Sequence, residues 1–354
     1  MKIQDFFVGI NDKRCYNKIV ILFVLPLILS SCYSVKRFSS EVMYPAKNTI
    51  NNNITDIVLI NKSYLPKSKA KHAGIYYEHK NYFRETYNKD SVVSDNALYS
   101  LAHGLKETMR YNVVDNDTIE KIKCEEGSFL KPLLYSDVKT ICAVYNTDAA
   151  VSLETFYSFD SLFNVYDDGH QIIRMVHLIS AYKFYYPDKD GRLYTFANKY
   201  YDDTLYWAVN GGFFEDLSDD IISRKDALYE MSYRSGMNFA KEIAPYWQEI
   251  DRYYFVNSKD EMIVAGQYAD NNEWLKAAEV WRRLTDSDKK STSTLAKFNM
   301  AVASEMSGEL DMALYWINKA LESKPDRVLF IKYKEQILER IENQKLVDKQ
   351  MGVQ

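Results

Sequence analysis

Histidine, cysteine, proline and glycine are scarce in this chain, with five, four, seven and twelve residues respectively among 354. A glycine-rich phosphate loop and a nucleophile elbow are absent. The histidines show neither the paired spacing of zinc ligands nor a neighbouring nucleophile motif. They are His72, His79, His103, His170 and His177. The sequence therefore predicts no metal site, no cofactor and no catalytic residue, and it favours a protein that is not an enzyme.

An excess of positive charge is also missing. Residues 1–31 contain four basic and two acidic side chains, and the remaining 323 residues contain 41 basic and 47 acidic ones. Nucleic-acid binding usually requires a concentrated basic face that neutralises phosphates. The composition thus predicts no nucleic-acid partner.

No apolar run is long enough to cross a membrane. The apolar run from Ile19 to Leu29 has eleven residues, whereas a spanning helix needs about 20. The basic residues that precede it are Lys2, Lys13, Arg14 and Lys18. A basic segment followed by a short apolar run is typical of a secretory signal, so residues 1–31 are predicted to be a cleaved signal peptide.

Cys32 follows this run directly, in Leu29-Ser30-Ser31-Cys32. The arrangement resembles the lipobox of bacterial lipoproteins. That resemblance implies that the thiol of Cys32 receives a diacylglycerol, that the preceding peptide is removed and that the new amino terminus is acylated. The alternatives are an ordinary cleaved signal with a chance cysteine, or a core helix. Several acyl chains would anchor the protein stably, because each buried methylene contributes about 0.8 kcal/mol.

The residues after Cys32 bear on the destination of the protein. Lipoproteins retained in the inner membrane carry Asp directly after the cysteine, where this chain has Tyr33 and Ser34. Acidic residues that resemble a surface-export signal are missing as well, since Lys36 and Arg37 stand there. The resemblance therefore implies a cell-envelope protein that is anchored to the outer membrane, on the periplasmic face rather than the cell surface.

Two further cysteines, Cys124 and Cys142, lie beyond the predicted lipid site. They could form a disulfide in an oxidising compartment. Alternatively they remain separate, because a helix that begins near Ser136 would bury Val138 and Cys142 on one face. Spacing alone does not decide connectivity, so both interpretations stand.

Residues 32–55 are polar and are predicted to form a lipidated tether. Residues 56–257 alternate between strand and helix patterns, which indicates a mixed α/β domain with an antiparallel portion. Strands are expected at 56–61, 113–115, 149–157, 171–185 and 192–201. Helices are expected after Ser94, from Ser136, and from Ser223 to Ala244; the first should bury Leu98, Leu101, Leu105 and Met109. A hairpin turn is expected at Asp188-Lys189-Asp190-Gly191.

The last third of the chain contains a sequence repeat. Apolar residues recur 36 positions apart: Ala265, Ala277, Trp281 and Leu284 are matched by Ala301, Ala313, Ile317 and Ala320. With Gly308 and Pro325 at its turns, the second copy, residues 294–327, resembles a tetratricopeptide repeat. In the first copy, residues 258–291, Asn272 replaces the turn glycine and Lys289 replaces the closing proline. Asn tolerates left-handed geometry, so the first departure is compatible with the same turn.

A helix with Phe330, Tyr333, Ile337 and Ile341 on one face should cap the repeats, so that the helical region covers 258–345 and a flexible tail covers 346–354. The predicted fold class is α+β, with an N-terminal mixed α/β domain followed by an all-α tetratricopeptide-like region. The whole layout resembles a family of uncharacterised Gram-negative lipoproteins.

Three functions compete. The first is a non-enzymatic protein-binding or scaffolding lipoprotein, because repeat helices offer a binding surface without reactive groups. The second is a glycan-binding lipoprotein that uses the tyrosine-rich strands, since the chain has 29 tyrosines. The third is a hydrolase, which would require Glu154 or Asp160 to meet a histidine in a pocket.

Four Asp-Ser/Thr-aliphatic triplets, which begin at Asp90, Asp117, Asp160 and Asp203, resemble an O-glycosylation acceptor of some Gram-negative periplasms. Their use depends on accessibility, which the sequence does not give.

Overall fold

The computed structural model describes residues 33–63, 73–77, 80–85, 90–114, 119–122, 131–167, 169–210 and 220–353. These residues divide into two compact units. The sheet-rich unit contains the described residues between 42 and 248 together with 343–353, and the helical unit contains 33–41 and 249–342. The predicted fold class is confirmed, because an N-terminal sheet-rich region precedes a C-terminal region of helices.

Six of the described strands of the sheet-rich unit form one sheet. They are β2 (Asp56–Asn61), β5 (Asn112–Val113), β6 (Glu120–Lys121), β7 (Ala149–Asp167), β8 (Gly169–Pro187) and β9 (Leu193–Asn210). Their order is β5-β2-β7-β8-β9, and β6 pairs with the end of β2. Strands β5, β6 and β7 are parallel to β2, whereas β7-β8 and β8-β9 are antiparallel. A separate hairpin joins β3 (Ala73–Tyr77) and β4 (Lys80–Glu85).

The apolar sequence of β2 explains the layers around the sheet. Ile57 and Leu59 contact the core formed with α1 (Asp90–Lys106) and α3 (Arg224–Ile243). Val58 and Ile60 instead contact the core formed with α2 (Tyr135–Tyr145). Alternate residues of a strand face opposite sides, so a continuous apolar run fits a parallel strand that is buried on both faces.

Several predicted elements are confirmed. β2 has the expected bounds, and α3 begins after Ser223 and ends before Pro245. The Oγ of Ser223 accepts a hydrogen bond from the backbone N–H of Asp226 at 3.1 Å, which caps the helix. Between β8 and β9, Gly191 has φ +86°, a left-handed conformation that glycine adopts without steric cost.

The antiparallel strands extend beyond the predicted bounds of 149–157, 171–185 and 192–201. The charged Asp160 and Arg174 obscure the apolar alternation, yet both side chains are buried. Arg224 Nε donates to Asp160 Oδ1 at 2.8 Å, and Arg174 Nε donates to the carbonyl of Ile222 at 2.8 Å. Because these buried charges are paired, the strands continue through positions where charged residues interrupt the apolar alternation of the sequence.

The starts of two helices differ from prediction. α1 begins at Asp90, because Ser94 and Asp95 are buried inside the helix, where both accept hydrogen bonds from the Asn61 amide at 2.9 and 2.8 Å. Met109 was expected on its buried face but lies beyond the helix end and is 89% exposed. α2 begins at Tyr135 rather than after Ser136.

The predicted tether over 32–55 is wrong for the described residues 33–55. Residues 33–44 form β1 (Tyr33–Tyr44), which pairs with β10 (Tyr246–Asn257). Further along, Ile50 and Ile54 are buried in the core of the sheet-rich unit. These apolar residues are too widely spaced to show a helix or strand periodicity in the sequence. Each is buried by segments that are distant in the chain.

The flexible tail predicted over 346–354 is wrong for residues 346–351. The last helix, α8 (Val328–Met351), continues to Met351, and Val347 and Gln350 are buried. The Gln350 amide accepts from the N–H of Ala46 at 2.8 Å and donates to its carbonyl at 2.9 Å. A polar tail sequence can therefore be ordered by backbone groups that lie far away in the chain.

The helical unit contains α4 (Asp260–Asp270), α5 (Trp274–Leu284), α6 (Lys290–Met306), α7 (Leu310–Ser323) and the first part of α8. Neighbouring helices from α4 to α7 pack in succession. Residues 249–257 belong to this unit, although the domain boundary was expected at 257. Phe255 explains the difference, because it is fully buried against Phe298 and Phe330.

Candidate functional site

The residues of the predicted repeats lie on two successive helix pairs. α4 and α5 carry the first copy, and α6 and α7 carry the second. Eight of the ten singled-out residues are buried: Ala265, Ala277, Trp281, Leu284, Ala301, Ala313, Ile317 and Ala320. Small side chains at such positions allow helix backbones to approach closely, and Trp281 fills the larger space among them.

The other two positions lie at turns. Gly308 has φ +81°, and Asn272, 36 positions earlier, has φ +59°. A Cβ at Gly308 would meet nothing within 4 Å, so the left-handed backbone alone favours glycine there. Pro325 is exposed, immediately beyond the end of α7. Both copies therefore have a left-handed residue at the equivalent turn.

A buried ionic cluster fastens β10 to the helices. Arg252 contacts Glu305 through two nitrogens, with Nε to Oε2 at 2.9 Å and Nη2 to Oε1 at 2.8 Å. Tyr333 donates its hydroxyl proton to Glu305 Oε2 at 2.7 Å. Burial, and then the Glu305 carboxylate, raise the pKa of Tyr333 well above its usual range. These groups satisfy one another, so the cluster supports the helices.

A surface groove of about 720 Å³ runs across α5, α6 and α7. Its cationic residues are Arg282, Arg283, Lys297 and Lys319, its carboxylates are Glu279, Asp286 and Glu322, and its remaining lining residues are Thr285, Tyr315 and Trp316. The aromatic rings of Tyr315 and Trp316 meet edge to face, with centroids 5.2 Å apart and an interplanar angle of 76°. The groove thus combines apolar ring surface with charges of both signs.

Only some of the cationic residues of the groove form ion pairs with described carboxylates. Lys319 Nζ lies 3.0 Å from Glu322 Oε1, and hydrogen bonding to this carboxylate raises the pKa of Lys319. No ion pair joins Arg282, Arg283 or Lys297 to a carboxylate in the described part of the chain. The guanidinium groups of Arg282 and Arg283 are at the surface. They are therefore available to a carboxylate that arrives from outside.

A second candidate surface lies on the sheet. Tyr157 and Phe159 on β7 and Tyr200 and Tyr206 on β9 are all exposed. The strand register places them on one face, around the central residue His177 of β8. His177 Nε2 lies 2.6 Å from Asp202 Oδ1. Helices α1 and α3 pack against the opposite face of the sheet.

The carboxylates considered for hydrolysis do not meet a histidine among the residues whose side chains are described. Glu154 Oε2 lies 2.5 Å from Lys62 Nζ, and Glu154 Oε1 accepts from the Tyr185 hydroxyl at 2.8 Å. Asp160 is bound to Arg224. His177 belongs to the opposite face of the sheet from Asp160, and His103 is exposed beside Glu107. The convergence that the hydrolase hypothesis requires is therefore missing there.

The cysteine predictions fall partly outside the described residues. Cys32 and Cys124 both lie outside them, so lipidation and the Cys124–Cys142 disulfide stay predictions. Cys142 is buried and pairs with no cysteine among the described residues. Burial is the main cause that raises its pKa, which favours the uncharged thiol.

Two of the acceptor-like triplets can be placed. Ser161 lies inside β7, beside the buried Asp160, whereas Thr204 is exposed on β9. The side chain of Ser91 lies outside the described residues, as do Asp117 and Thr118. Accessibility therefore favours Thr204 over Ser161.

None of the described helices is sufficiently long and apolar to span a membrane. Within the described residues, no group of three or more His, Cys, Asp or Glu side chains is arranged to hold a metal ion.

Sequence comparison places family boundaries close to these structural ones. A family model described as "Domain of unknown function (DUF8603)" matches residues 54–255, which is more than half of the chain. A second model, described as "Domain of unknown function (DUF6340)", matches residues 264–343, where the groove lies. No curated protein matches the chain. Neither description names an activity, so function has to be argued from the geometry of the surfaces.

Proposed function

We propose that this chain, which belongs to the DUF8603 family, is a cell-envelope lipoprotein that holds a protein partner through its C-terminal helices and catalyses no reaction. The lipid on Cys32 anchors it to the outer membrane, on the periplasmic face. The helical groove supplies the recognition. The observation that carries the proposal is the combination, in that groove, of aromatic rings with Arg282 and Arg283, which form no ion pair among the described residues.

The helical region is a pair of tetratricopeptide-like repeats with a capping helix. Two features support this assignment: the buried alanines recur with a period of 36 residues, and Asn272 and Gly308 are both left-handed at the equivalent turn. Repeats of this kind present grooves that bind extended or helical segments of other proteins.

The chemistry of the groove defines the partner segment. Arg282 and Arg283 match carboxylates, because a guanidinium can donate two parallel hydrogen bonds to one carboxylate. Tyr315 and Trp316 offer ring surface to an apolar or aromatic side chain. Glu279 and Asp286 disfavour a uniformly acidic ligand. The partner segment therefore carries one or two carboxylates beside an apolar anchor.

Point substitutions test this proposal better than deletion of the helical region, since deletion would strip Tyr254 and Phe255 of their packing partners. Arg282→Glu together with Arg283→Glu should lower recovery of the crosslinked partner from intact envelopes at least tenfold. Lys332→Glu makes the same kind of charge change on an exposed residue of α8 outside the groove and should leave recovery unchanged. Equal recovery from both variants would sink the proposal.

A glycan-binding function is the second candidate, and the exposed aromatic face of β7 and β9 favours it. Tyrosine rings stack on sugars, and the hydroxyl of Tyr206 and the carboxylate of Asp202 supply polar contacts nearby. Under this alternative, Tyr157→Ala and Tyr206→Ala abolish binding to a glycan array, whereas Arg282→Glu does not affect it. Absence of binding by the parent chain removes this candidate.

A further inference from the structure

Strand β9 is the end strand of the six-stranded sheet. It pairs with β8 over Leu193–Asn210, and in the described part of the chain no strand pairs with its other side. Long open edges are normally protected by prolines, lysines or short length. This 18-residue strand contains no proline and a single lysine, Lys199. The backbone donors and acceptors on this side, which pair with no strand among the described residues, are therefore suited to receive another strand.

We propose that the occupant is β9 of a second copy of this chain, paired antiparallel about a two-fold axis that passes beside Tyr201. A two-fold interface brings the same segment of each copy together, so the strand must be complementary to itself. With the axis at Tyr201, Lys199 of each copy lies opposite Asp203 of the other. Tyr200 lies opposite Asp202, and Asn198 opposite Thr204.

Charge complementarity selects this register over its neighbours. Opposite charges that face each other across antiparallel strands are favourable, and like charges are unfavourable. An axis at Asp202 or at Asp203 would place two identical carboxylates opposite each other. An axis at Tyr200 would place Lys199 opposite Tyr201, and an axis at Thr204 would place Asp203 opposite Leu205. Among these registers, the axis at Tyr201 is the one that pairs lysine with aspartate twice.

The side chains concerned are free to make these contacts. Asp203 is exposed, and 43% of the Lys199 side-chain surface is accessible. Lys199 Nζ lies 3.6 Å from Glu242 Oε1, but Lys47 Nζ lies closer to the same oxygen, at 2.8 Å. Glu242 therefore keeps a cationic partner when Lys199 turns towards Asp203 of the second copy.

The pairing also covers apolar surface. Tyr201 and Leu205 face the core of the sheet-rich unit, and they are only partly buried on a strand whose outer side pairs with no described strand. A second β9 would extend the sheet and shield them.

A charge exchange tests the proposed register. Sedimentation equilibrium of the full chain should show a monomer–dimer equilibrium. Lys199→Asp alone and Asp203→Lys alone should each weaken it at least tenfold, because each places like charges opposite each other. The double variant should return to within about threefold of the parent, since the pairs are restored in reverse. Lys139→Asp, a charge change of the same size on exposed α2, should leave the dimer unaffected.

Disulfide trapping reports the register of the two strands independently of how strongly the dimer associates. Directly opposed residues in antiparallel strands have Cα atoms about 4.5–5.5 Å apart, within the range of a disulfide. Tyr201→Cys should therefore crosslink two copies on oxidation. Thr204→Cys should not, because the two positions would be roughly 20 Å apart at about 3.3 Å per residue.

Several results would overturn the proposal. The parent chain could stay monomeric, even if β9 binds a strand of a different protein. The single charge variants could leave the dimer as strong as that of the parent, or the double variant could fail to restore dimerisation. Finally, the cysteines at positions 201 and 204 could crosslink equally.

Discussion

The side-chain amide of Gln350 accepts a hydrogen bond from the N–H of Ala46 at 2.8 Å and donates one to the carbonyl of Ala46 at 2.9 Å, across 304 positions of sequence. Both residues are buried. The contact fixes the end of α8 within the sheet-rich unit, at a place where the sequence alone predicts a flexible tail.

Replacement of Gln350 by alanine should therefore destabilise the protein. The substitution leaves the N–H and the carbonyl of Ala46 without partners, and an unsatisfied buried group costs about 1–3 kcal/mol. Urea unfolding measures the loss. Gln344→Ala, on the same helix, removes only a side-chain contact to Asp348 and should change the free energy of unfolding by less than about 0.5 kcal/mol. Equal effects at the two positions would contradict the structure.

The repeat packing predicts a large effect at Trp281. Its side chain is fully buried at the centre of the helical unit, so Trp281→Ala should lower the free energy of unfolding by about 3–5 kcal/mol. Leu275 lies on the same helix but is 73% exposed, and Leu275→Ala should change stability by about 0.5 kcal/mol or less. Thermal unfolding followed by circular dichroism compares the two variants, and a mild effect at Trp281 would count against the packing described.

The buried tyrosines predict a loss of stability in alkali. Burial raises the pKa of Tyr111 to about 12, whereas an unfolded tyrosine ionises near pH 10. Above pH 10 the unfolded chain therefore binds fewer protons than the folded one. The free energy of unfolding should then fall by about 1.4 kcal/mol per pH unit for each such tyrosine, and the contribution is fully present below pH 10.

Tyr111→Phe isolates one contribution to this pH dependence. The variant should show a smaller loss of stability than the parent between pH 10 and about 12, measured by urea unfolding at each pH. Tyr200→Phe, at an exposed position, should keep the slope of the parent. If Tyr111→Phe retained the full slope, another group would be responsible.

The lipid anchor that we propose would be attached to Cys32. Cys32→Ala should abolish metabolic labelling with palmitate and move the protein from the membrane fraction to a soluble one. Its unfolding transition should match that of the parent, since residues 33–353 supply the folded contacts described. A variant that stays membrane-bound after normal signal cleavage would contradict the lipobox interpretation.

The sequence predicts the parts of this fold that depend on local spacing or on the sequence repeat. The apolar run of β2, the start of α3 near Ser223 and the alanines of the two repeats all follow from spacing within a few residues or from a period of 36. Their physical causes are local hydrogen bonding and the periodicity of buried faces. These patterns carry the fold class.

The features that the sequence did not predict depend on contacts between residues that are far apart in the chain. Phe38 is packed by Tyr254 and Trp274, and Asp160 is neutralised by Arg224. No spacing rule connects such residues, because the tertiary fold brings them together. The groove escaped for the same reason, since its lining residues come from three helices.

Photocrosslinking from position 315 tests the central claim most directly. A photoreactive phenylalanine analogue replaces the exposed Tyr315 in the groove or, as the control, the exposed Tyr233 on α3. We expect one protein species to crosslink at 315 and not at 233, to disappear with Arg282→Glu and to persist with Lys332→Glu. A species that crosslinks equally from both positions, or that survives Arg282→Glu, would contradict recognition through the groove.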